Sequence, residues 1–216
     1  MRLEKYIDHT ILKPDASSDD IIRICQEAIK YGFYAVCVNS CHTQLAKREL
    51  GDSNVKLATV VGFPLGATST KTKAFETMDA VENGANEIDM VINIGALKDA
   101  NEEYLFKDIE AVVLAAGKGV LVKVIIETSL LSSREKVLVC KLAKKAGADF
   151  VKTSTGFSKG GATVEDVSLM RQAVGPNLGV KASGGIRDYL TARSLIEAGA
   201  SRLGASSSVD IVKSIK

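Results

Sequence analysis

Short runs of β-branched and other apolar residues alternate with longer amphipathic segments along the whole chain. Eight of these runs have the length and composition of buried strands, and helical patterns lie between them. The spacing from one run to the next is that of a strand, a helix and two short loops. The candidate strands are YIDHT, YAVCVN, KLATVV, EIDMVIN, LVKVIIE, FVKTS, GVKAS and RLGAS.

Glycines and capping residues mark the ends of the segments between the strands. Glycine adopts the left-handed conformation that ends a helix without a steric penalty. Four helical patterns stop at such a glycine directly before a strand: Gly32, Gly84, Gly147 and Gly199. Capping oxygens are found at the starts of three helical patterns, within residues 15–19, at Ser132 and at Thr163.

Alternating strands and helices predict an α/β fold with a parallel sheet. Eight such units in 216 residues fit a single (β/α)8 TIM barrel, and no Pro-rich or low-complexity stretch divides residues 1–216 into further domains. The alternative is an open, doubly wound sheet. No G-x-G-x-x-G turn follows the first strand, so the sequence disfavours a dinucleotide-binding fold and a dehydrogenase.

Composition and charge narrow the class of partner. With 28 basic and 26 acidic side chains the net charge is +2, which gives no sign of a nucleic-acid or membrane partner and favours a small molecule. The absence of a long apolar run and of a signal peptide predicts a cytoplasmic protein. Cys37, Cys41 and His42 lie close together, but the only other histidine is His9, so we expect no metal site.

Charged residues interrupt four of the predicted strands. A barrel strand is covered by helices outside and filled by side chains inside, so it should be almost continuously apolar. The interrupting residues are Asp89, Lys123, Lys152 and Lys181. Counted from the preceding helix-ending glycine, they and Cys37 lie at similar heights, so we expect one layer inside the barrel. A lysine on its own would be better explained as a snorkelling or structural side chain.

Three cations beside one anion cannot all stay charged at low cost in a buried layer. We therefore expect at least one amine to be neutral, although a free lysine with a pKa of about 10.4 is almost fully protonated at pH 7. A neutral lysine at the end of a barrel strand can attack a carbonyl and form an imine. The layer predicts covalent catalysis on an aldehyde or ketone.

The residues after the lysines suggest which of them attacks. Lys152 is followed by the segment TSTG, whose hydroxyls and glycine, including Thr155 and Gly156, suit a polar pocket at the barrel mouth. We take Lys152 as the nucleophile and Lys181 as the neighbour that lowers its pKa, with the reverse assignment left open. Asp89 then shuttles protons with Lys181 or through water.

Glycines and serines after the last two strands suit a phosphate. Barrel enzymes often hold phosphate at these loops and at the start of the following helix. Gly184 and Gly185 expose backbone amides there, while Ser206 and Ser207 begin the last helical pattern, although either pair could be an ordinary turn or cap. A third glycine-rich loop contains Lys159 and is either another wall of this site or a mobile lid.

Six motifs in order resemble the deoxyribose-phosphate aldolase family, from Tyr6 to the last helix. They are DHTILKP, EIDMVINIGAL, LVKVIIET, FVKTSTGF, GVKASGGIR and RLGASSS. The resemblance implies a class I aldolase on a TIM barrel that needs no metal or other cofactor. It would interconvert 2-deoxy-D-ribose 5-phosphate with D-glyceraldehyde 3-phosphate and acetaldehyde.

The resemblance also assigns roles by motif. It implies that Lys152 forms the Schiff base and that Asp89 and Lys181 are the proton donor and acceptor pair. The phosphate contacts that it implies are Gly184, Gly185, Ser206 and Ser207, and the supporting polar residues are Asp8, Thr10 and Lys123. With Cys37, Thr155, Gly156 and Lys159 from the pattern of the strands and loops, these complete the expected substrate site.

Two departures and two alternatives accompany this assignment. Lys159 is unusual in the GFSxGGAT loop, and the chain ends at Lys216 without the longer tail of some family members, so we expect no tail to close the site. One alternative is another Schiff-base phosphosugar aldolase or a transaldolase. The other is a phosphosugar-binding barrel without catalysis. Small barrels commonly associate, so we also expect a homo-oligomer, a dimer or a tetramer.

Overall fold

Eight parallel strands close into a barrel in the order of the chain in the computed structural model, which describes residues 2–214. The strands are β1 Ile7–Thr10, β2 Ala35–Val38, β3 Lys56–Val61, β4 Glu87–Val91, β5 Leu121–Ile125, β6 Phe150–Lys152, β7 Gly179–Ser183 and β8 Arg202–Ala205. β1 pairs with β8, with Asp8 opposite Gly204, so the sheet has no open edge. The predicted TIM barrel is confirmed. Met1 and Lys216, the predicted domain ends, lie outside the described residues.

Helices follow the strands and surround the barrel. They are α1 Ser18–Tyr31, α2 Thr43–Leu50, α3 Thr70–Glu82, α4 Ile94–Lys98, α5 Glu102–Ala116, α6 Ser133–Lys145, α7 Val164–Val174, α8 Tyr189–Glu197 and α9 Ser208–Lys213. Short 3-10 turns cover Leu3–Tyr6, Ser40–His42 and Thr128–Leu130. Ser17, Ser132 and Thr163 cap α1, α6 and α7 through their side chains, as the polar residues before these helices predict.

The helix-ending glycines have the predicted backbone conformation. Gly32, the C-cap of α1, has φ of 68°. Gly147, which directly follows the C-cap residue of α6, has φ of 88°. The same sharp turn directs the chain from a helix into the base of the next strand. Because the joint repeats, the strands enter the barrel in similar ways and their carboxyl ends meet at one rim.

The two faces of each strand have different environments. Alternate residues such as Ile88 and Met90 point outward into an apolar layer beneath the helices. The other face fills the lumen, where a small apolar cluster includes Cys37, Ala58 and Val60. Charged residues fill the rest of the lumen, and their positions determine the candidate site.

The predicted charged layer is staggered rather than flat. Asp89 is opposite Lys123, and Lys152 is opposite Lys181. Between these pairs, however, Lys123 is opposite Phe150, two residues before Lys152. Counting from the glycines placed Lys123 and Lys152 at nearly the same height, but they differ by two register positions. The offset arises because the strands of a closed barrel are sheared relative to one another. The four side chains still meet within the lumen.

Among residues 2–214, no helix is both long enough and apolar enough to cross a bilayer.

Candidate active site

Seven charged side chains are buried together inside the barrel. Each is at most 4% exposed, and each points inward from its strand. They are Asp8 on β1, Glu87 and Asp89 on β4, Lys123 on β5, Lys152 on β6, Lys181 on β7 and Arg202 on β8. A strand interior would ordinarily exclude these residue types, so their joint presence marks the lumen as the site to examine.

Asp89 is the central acceptor of this cluster. Its Oδ1 accepts from the Lys123 amine at 2.6 Å. Its Oδ2 accepts from Lys152 Nζ and from Lys181 Nζ, each at 2.8 Å. A proton can therefore pass between the two lysines through one carboxylate oxygen.

The lower part of the cluster is held by two further carboxylates. Arg202 Nη1 donates to Asp8 Oδ1 at 2.9 Å and to Glu87 Oε2 at 3.1 Å. Glu87 Oε2 also accepts from Lys123 at 2.6 Å. Lys181 donates a short hydrogen bond to the other oxygen of Asp8, so both carboxylate oxygens of this residue have a cationic partner.

The balance of charge differs from the expected one. We predicted three cations beside one anion, whereas the described lumen contains four cations and three carboxylates. Glu87 and Arg202 were not among the predicted residues, and Asp8 was expected only as a supporting polar residue. The excess is therefore one positive charge rather than two, so one neutral amine is enough to balance the cluster.

Lys152 is the amine whose charge is least supported. Burial lowers the pKa of Lys152, the Asp89 carboxylate opposes this effect, and the Lys181 ammonium adds to it, so the pKa falls below the usual lysine value. The prediction that Lys181 lowers the pKa of its neighbour agrees with this balance. Lys152 is the lysine of the cluster that lines the cavity above it.

The other two lysines are held as ammonium ions. Burial alone would lower the pKa of Lys181, but Asp8 and Asp89 outweigh burial and raise it. Burial and Lys181 would lower the pKa of Lys123, but the charges of Asp89, Glu87 and Asp8 together outweigh them and raise it. Burial would raise the pKa of Asp89, but Lys123, Lys152 and Lys181 together hold it well below the usual value. The cluster thus combines fixed charges with one amine whose pKa is lowered.

A cavity of about 320 Å³ opens above Lys152 at the carboxyl ends of the strands. It is lined by residues 10–13, 152, 155–157, 183–187 and 204–206. Several predicted site residues are therefore brought together on its walls: Thr10, Lys152, Thr155, Gly156, Gly184, Gly185 and Ser206. The volume suits a small ligand with its carbonyl end at Lys152 and its other end at the glycine loop.

The remaining predicted site residues lie outside the cavity wall. Asp8, Lys123 and Cys37 are fully buried below it in the lumen. Ser207 is the N-cap of α9, directly after the wall residue Ser206. Lys159 lies beside a separate surface depression formed with 129–130 and 157–158.

The glycine loop after β7 has the backbone conformation that only glycine adopts readily. Gly184 has φ of 89° and Gly185 has φ of 78°. The loop after β6 packs directly on it, since Ala162 N donates to Gly184 O at 3.0 Å. A Cβ on Gly161 would lie 2.4 Å from that same carbonyl oxygen. These glycines allow two loops to approach closely at one side of the cavity.

Similarity to known proteins agrees with this geometry. A model of the DeoC/LacD family of aldolases matches residues 2–214. The deoxyribose-phosphate aldolase of Streptococcus gordonii is 62% identical over 213 residues, which cover 99% of this chain and 96% of the relative. That of Thermococcus gammatolerans is 62% identical over 216 residues, covering 99% and 96%.

A solved structure extends the comparison to the fold. The tetrameric deoxyribose phosphate aldolase of Aeropyrum pernix superposes with a TM-score of 0.90 at 35% identity, covering 98% of this chain and 90% of that one. The chain belongs to the DeoC/LacD aldolase family. The predicted family and the predicted enzyme class, an aldehyde lyase, are confirmed.

Sequence reasoning missed several residues in the lumen and around the cavity of this aldolase. Glu87 and Arg202 lie two positions before Asp89 and Gly204 on the same strand faces, so the two-residue period of a strand could have indicated them. Lys13 and Arg187 bring positive charge to the cavity wall from loops. No strand period indicates a loop residue, so these two had no signal of that kind.

Glu127 is a further residue of the aldolase that the sequence did not indicate. It is 3% exposed and has φ of 55°, a conformation that is rare outside glycine. Its Oε2 accepts from the backbone N–H of Thr155 at 3.2 Å and from the Thr155 hydroxyl. The same hydroxyl accepts from Phe157 N at 3.0 Å, so Glu127 fixes one wall of the cavity.

The described part of the aldolase contains no set of side chains that could bind a metal ion. Within residues 2–214, no three histidine, cysteine or acidic side chains are grouped so that they could hold a metal ion. The lumenal carboxylates are instead occupied by lysine and arginine.

Proposed function

We propose that this aldolase cleaves 2-deoxy-D-ribose 5-phosphate reversibly to D-glyceraldehyde 3-phosphate and acetaldehyde through a Schiff base on Lys152. The observation that carries the proposal is the position of the Lys152 amine. It is 2% exposed, lies at the floor of the cavity and has a lowered pKa. An amine that is both neutral and accessible to a ligand is the requirement for attack on an aldehyde.

The bond changes follow from that amine. Neutral Lys152 attacks C1 of the open-chain sugar phosphate, and loss of water gives an iminium ion. Removal of the proton from the 3-hydroxyl breaks the C2–C3 bond, releases glyceraldehyde 3-phosphate and leaves an enamine. Protonation of the enamine at C2 and addition of water release acetaldehyde and regenerate the amine. The water lost in the first step is recovered in the last.

Asp89 and Lys181 support the proton transfers. Asp89 Oδ2 accepts hydrogen bonds from both Lys152 and Lys181, so it can accept a proton beside the forming iminium. Lys181 is an ammonium ion, so it can act as the proton donor of this pair. We therefore assign Asp89 and Lys181 as the proton donor and acceptor pair, acting directly or through one water.

The phosphate group suits the opposite end of the cavity. Gly184, Gly185 and Ser206 line that end, and Ser207, the N-cap of α9, directly follows Ser206. Backbone amides and hydroxyls there are donors for an anion, and Arg187 on the same wall adds positive charge. This arrangement supports a substrate with an aldehyde at one end and a phosphate at the other.

The other predicted substrate residues divide into two groups. Thr10, Thr155 and Gly156 lie on the cavity wall and are assigned to the sugar. Asp8, Lys123 and Cys37 lie beneath the wall and are assigned to the support of the charged cluster. Lys159 stays a prediction with two alternatives, another wall of the phosphate site or part of a mobile lid. A rise in KM of Lys159→Ala for the phosphorylated sugar would support the first.

Reductive trapping tests the chemistry and the residue together. We expect borohydride with acetaldehyde or deoxyribose 5-phosphate to leave a stable adduct on Lys152, located by peptide mass spectrometry. Unmodified protein would support a non-catalytic phosphosugar-binding barrel. An adduct with fructose phosphates but not with deoxyribose 5-phosphate would support another Schiff-base aldolase or a transaldolase.

Assembly and location are part of the same proposal. The Aeropyrum pernix relative is a tetramer, which supports the predicted homo-oligomer, a dimer or a tetramer. Light scattering after size-exclusion chromatography measures this state. The predicted cytoplasmic location stays a prediction, which fractionation of the source cells would check.

A further inference from the structure

Six of the seven lumenal charges form a closed ring of alternating sign. The contacts run through Arg202, Asp8, Lys181, Asp89, Lys123 and Glu87 and return to Arg202. Three cations and three carboxylates make this ring neutral. Lys152 is the seventh charge, and within residues 2–214 its carboxylate partner is Asp89 alone.

The ring leaves no negative charge available for Lys152. Asp89 already accepts from Lys123 at 2.6 Å and from Lys181 at 2.8 Å. A proton on Lys152 therefore gives the buried cluster a net positive charge. Water offsets little of that charge, since Lys152 is 2% exposed and every member of the ring is at most 4% exposed.

Within residues 2–214, the other groups around Lys152 form no ion pair with it. Cys37 on β2 is a neutral thiol because burial raises its pKa. Ile125 on β5 is the residue opposite Lys152 in the register and carries no charge. Glu127 follows β5, but its carboxylate accepts from Thr155. The ion pair of Lys152 is thus with the ring, while Glu127 and the cavity-wall residues Lys13 and Arg187 contribute charges that stay the same in every ring variant.

We propose that Arg202 and Glu87 are positioning residues that set the net charge of the lumen, with Arg202 favouring the neutral amine of Lys152 and Glu87 opposing it. Neither residue lines the cavity, and they meet each other at 3.1 Å at the base of the ring. Their effect reaches Lys152 through Asp8, Lys181, Lys123 and Asp89. The inference rests on the proposed function, which makes the Lys152 amine the nucleophile.

Arginine is suited to this role because its charge does not vary. A guanidinium stays protonated at any working pH, whereas a buried lysine can release its proton. Arg202 is also held in place by aromatic rings, with its Cζ 3.5 Å from the ring centre of Tyr34 and 5.3 Å from that of Phe150. With a permanent cation at the lower end of the ring, Lys152 is the amine of the lumen that loses its proton.

Opposite charge changes in the ring should move Lys152 in opposite directions. Glu87→Gln removes a negative charge at constant shape, so the pKa of Lys152 should fall. Arg202→Met removes a positive charge, so the pKa of Lys152 should rise. At an effective dielectric of 20, removing a unit charge about 10 Å away changes the pKa of a buried group by about one unit. The double variant restores the count and should return close to the wild-type value.

The measurement is the pH dependence of adduct formation. Each protein is incubated with acetaldehyde and cyanoborohydride across a pH series, and the initial rate of adduct formation on Lys152 is read by mass spectrometry. The midpoint of the rise should lie about one unit lower for Glu87→Gln and about one unit higher for Arg202→Met. A purely structural role would reduce the rates without opposite shifts of the midpoint.

Asp108→Asn is the matched control. It also converts a buried carboxylate to an amide, but in a pair with Lys73 between α3 and α5, outside the lumen. We expect it to lose stability and to keep the wild-type midpoint. Unchanged midpoints in both ring variants, or shifts in one direction, overturn the inference.

The remaining outcomes also decide. If Arg202→Met does not fold, the direction of the Glu87→Gln shift is sufficient, because lost packing cannot move the midpoint to lower pH by itself. If wild-type protein forms no adduct on Lys152 at any pH, the proposed function fails and this inference fails with it. An adduct that forms with an unmoved midpoint in Glu87→Gln overturns this inference alone.

Discussion

Two groups of buried charges lie in different layers of this barrel. Between α3 and α5, Lys73 Nζ donates to Asp108 Oδ2 at 2.5 Å, and the Thr70 hydroxyl donates to the other carboxylate oxygen at 2.8 Å. In the lumen, Lys152 shares Asp89 with Lys123 and Lys181. One group pairs its charges one to one, whereas the other has one cation too many.

The comparison shows that burial by itself does not create a reactive lysine. Lys73 is as deeply buried as any residue of the lumen, but it has a carboxylate of its own. Lys152 must share its carboxylate and also faces a cavity. An uneven count of charges, combined with access for a ligand, distinguishes a chemical site from a structural ion pair.

Lys152→Leu should have the largest effect. Without the amine no Schiff base forms, so turnover should fall to background, while the barrel should fold because the change removes the surplus cation. Activity assays and thermal unfolding measured by circular dichroism give both quantities. Turnover near that of the wild type would exclude Lys152 as the nucleophile.

Lys73→Met should reverse that pattern. Breaking a buried pair leaves Asp108 uncompensated and should lower the free energy of unfolding by about 3–5 kcal/mol. Turnover per folded molecule should stay close to wild type. The double variant Lys73→Met/Asp108→Leu removes both charges and should recover much of the loss in denaturant unfolding. A large loss of turnover at full stability would contradict the structural role of this pair.

The contrast between the two layers also explains what sequence could predict. The strands were predictable because β-branched runs and helix-ending glycines such as Gly32 and Gly147 reflect local preferences. Asp89, Lys152 and Lys181 were predictable because a charge within a buried strand is anomalous.

Other parts of the site depend on how distant strands and loops come together. Arg202 and Glu87 are the first residues of their strands, and the strand period indicates only which face they occupy. Their contacts with Asp8 and Lys123 depend on the register between strands. Lys13 and Arg187 reach the cavity through loop conformations that no local pattern specifies. The stagger between Lys123 and Lys152 depends on the shear of the whole barrel.

Lys181→Leu should have a smaller but more specific effect on the lumen. The Lys181 ammonium disfavours a second charge on Lys152, so its removal should raise the pKa of Lys152. Adduct formation needs the neutral amine, so its rise should move to higher pH, by about two units for a charge about 5 Å away at an effective dielectric of 20. The pH series of trapping with acetaldehyde measures the shift, and an unmoved midpoint would refute the electrostatic role of Lys181.

Ser206→Ala should have the smallest effect, at the end of the cavity opposite Lys152. Ser206 lines the wall where we place the phosphate, and one lost hydrogen bond of about 1 kcal/mol corresponds to a roughly fivefold rise in KM. The kcat should change little, because the charges around Lys152 are untouched. Unphosphorylated 2-deoxy-D-ribose is the matched control substrate, and its KM should not move. Equal rises for both substrates would place the loss in the sugar site, and the phosphate would then have to bind at another part of the wall.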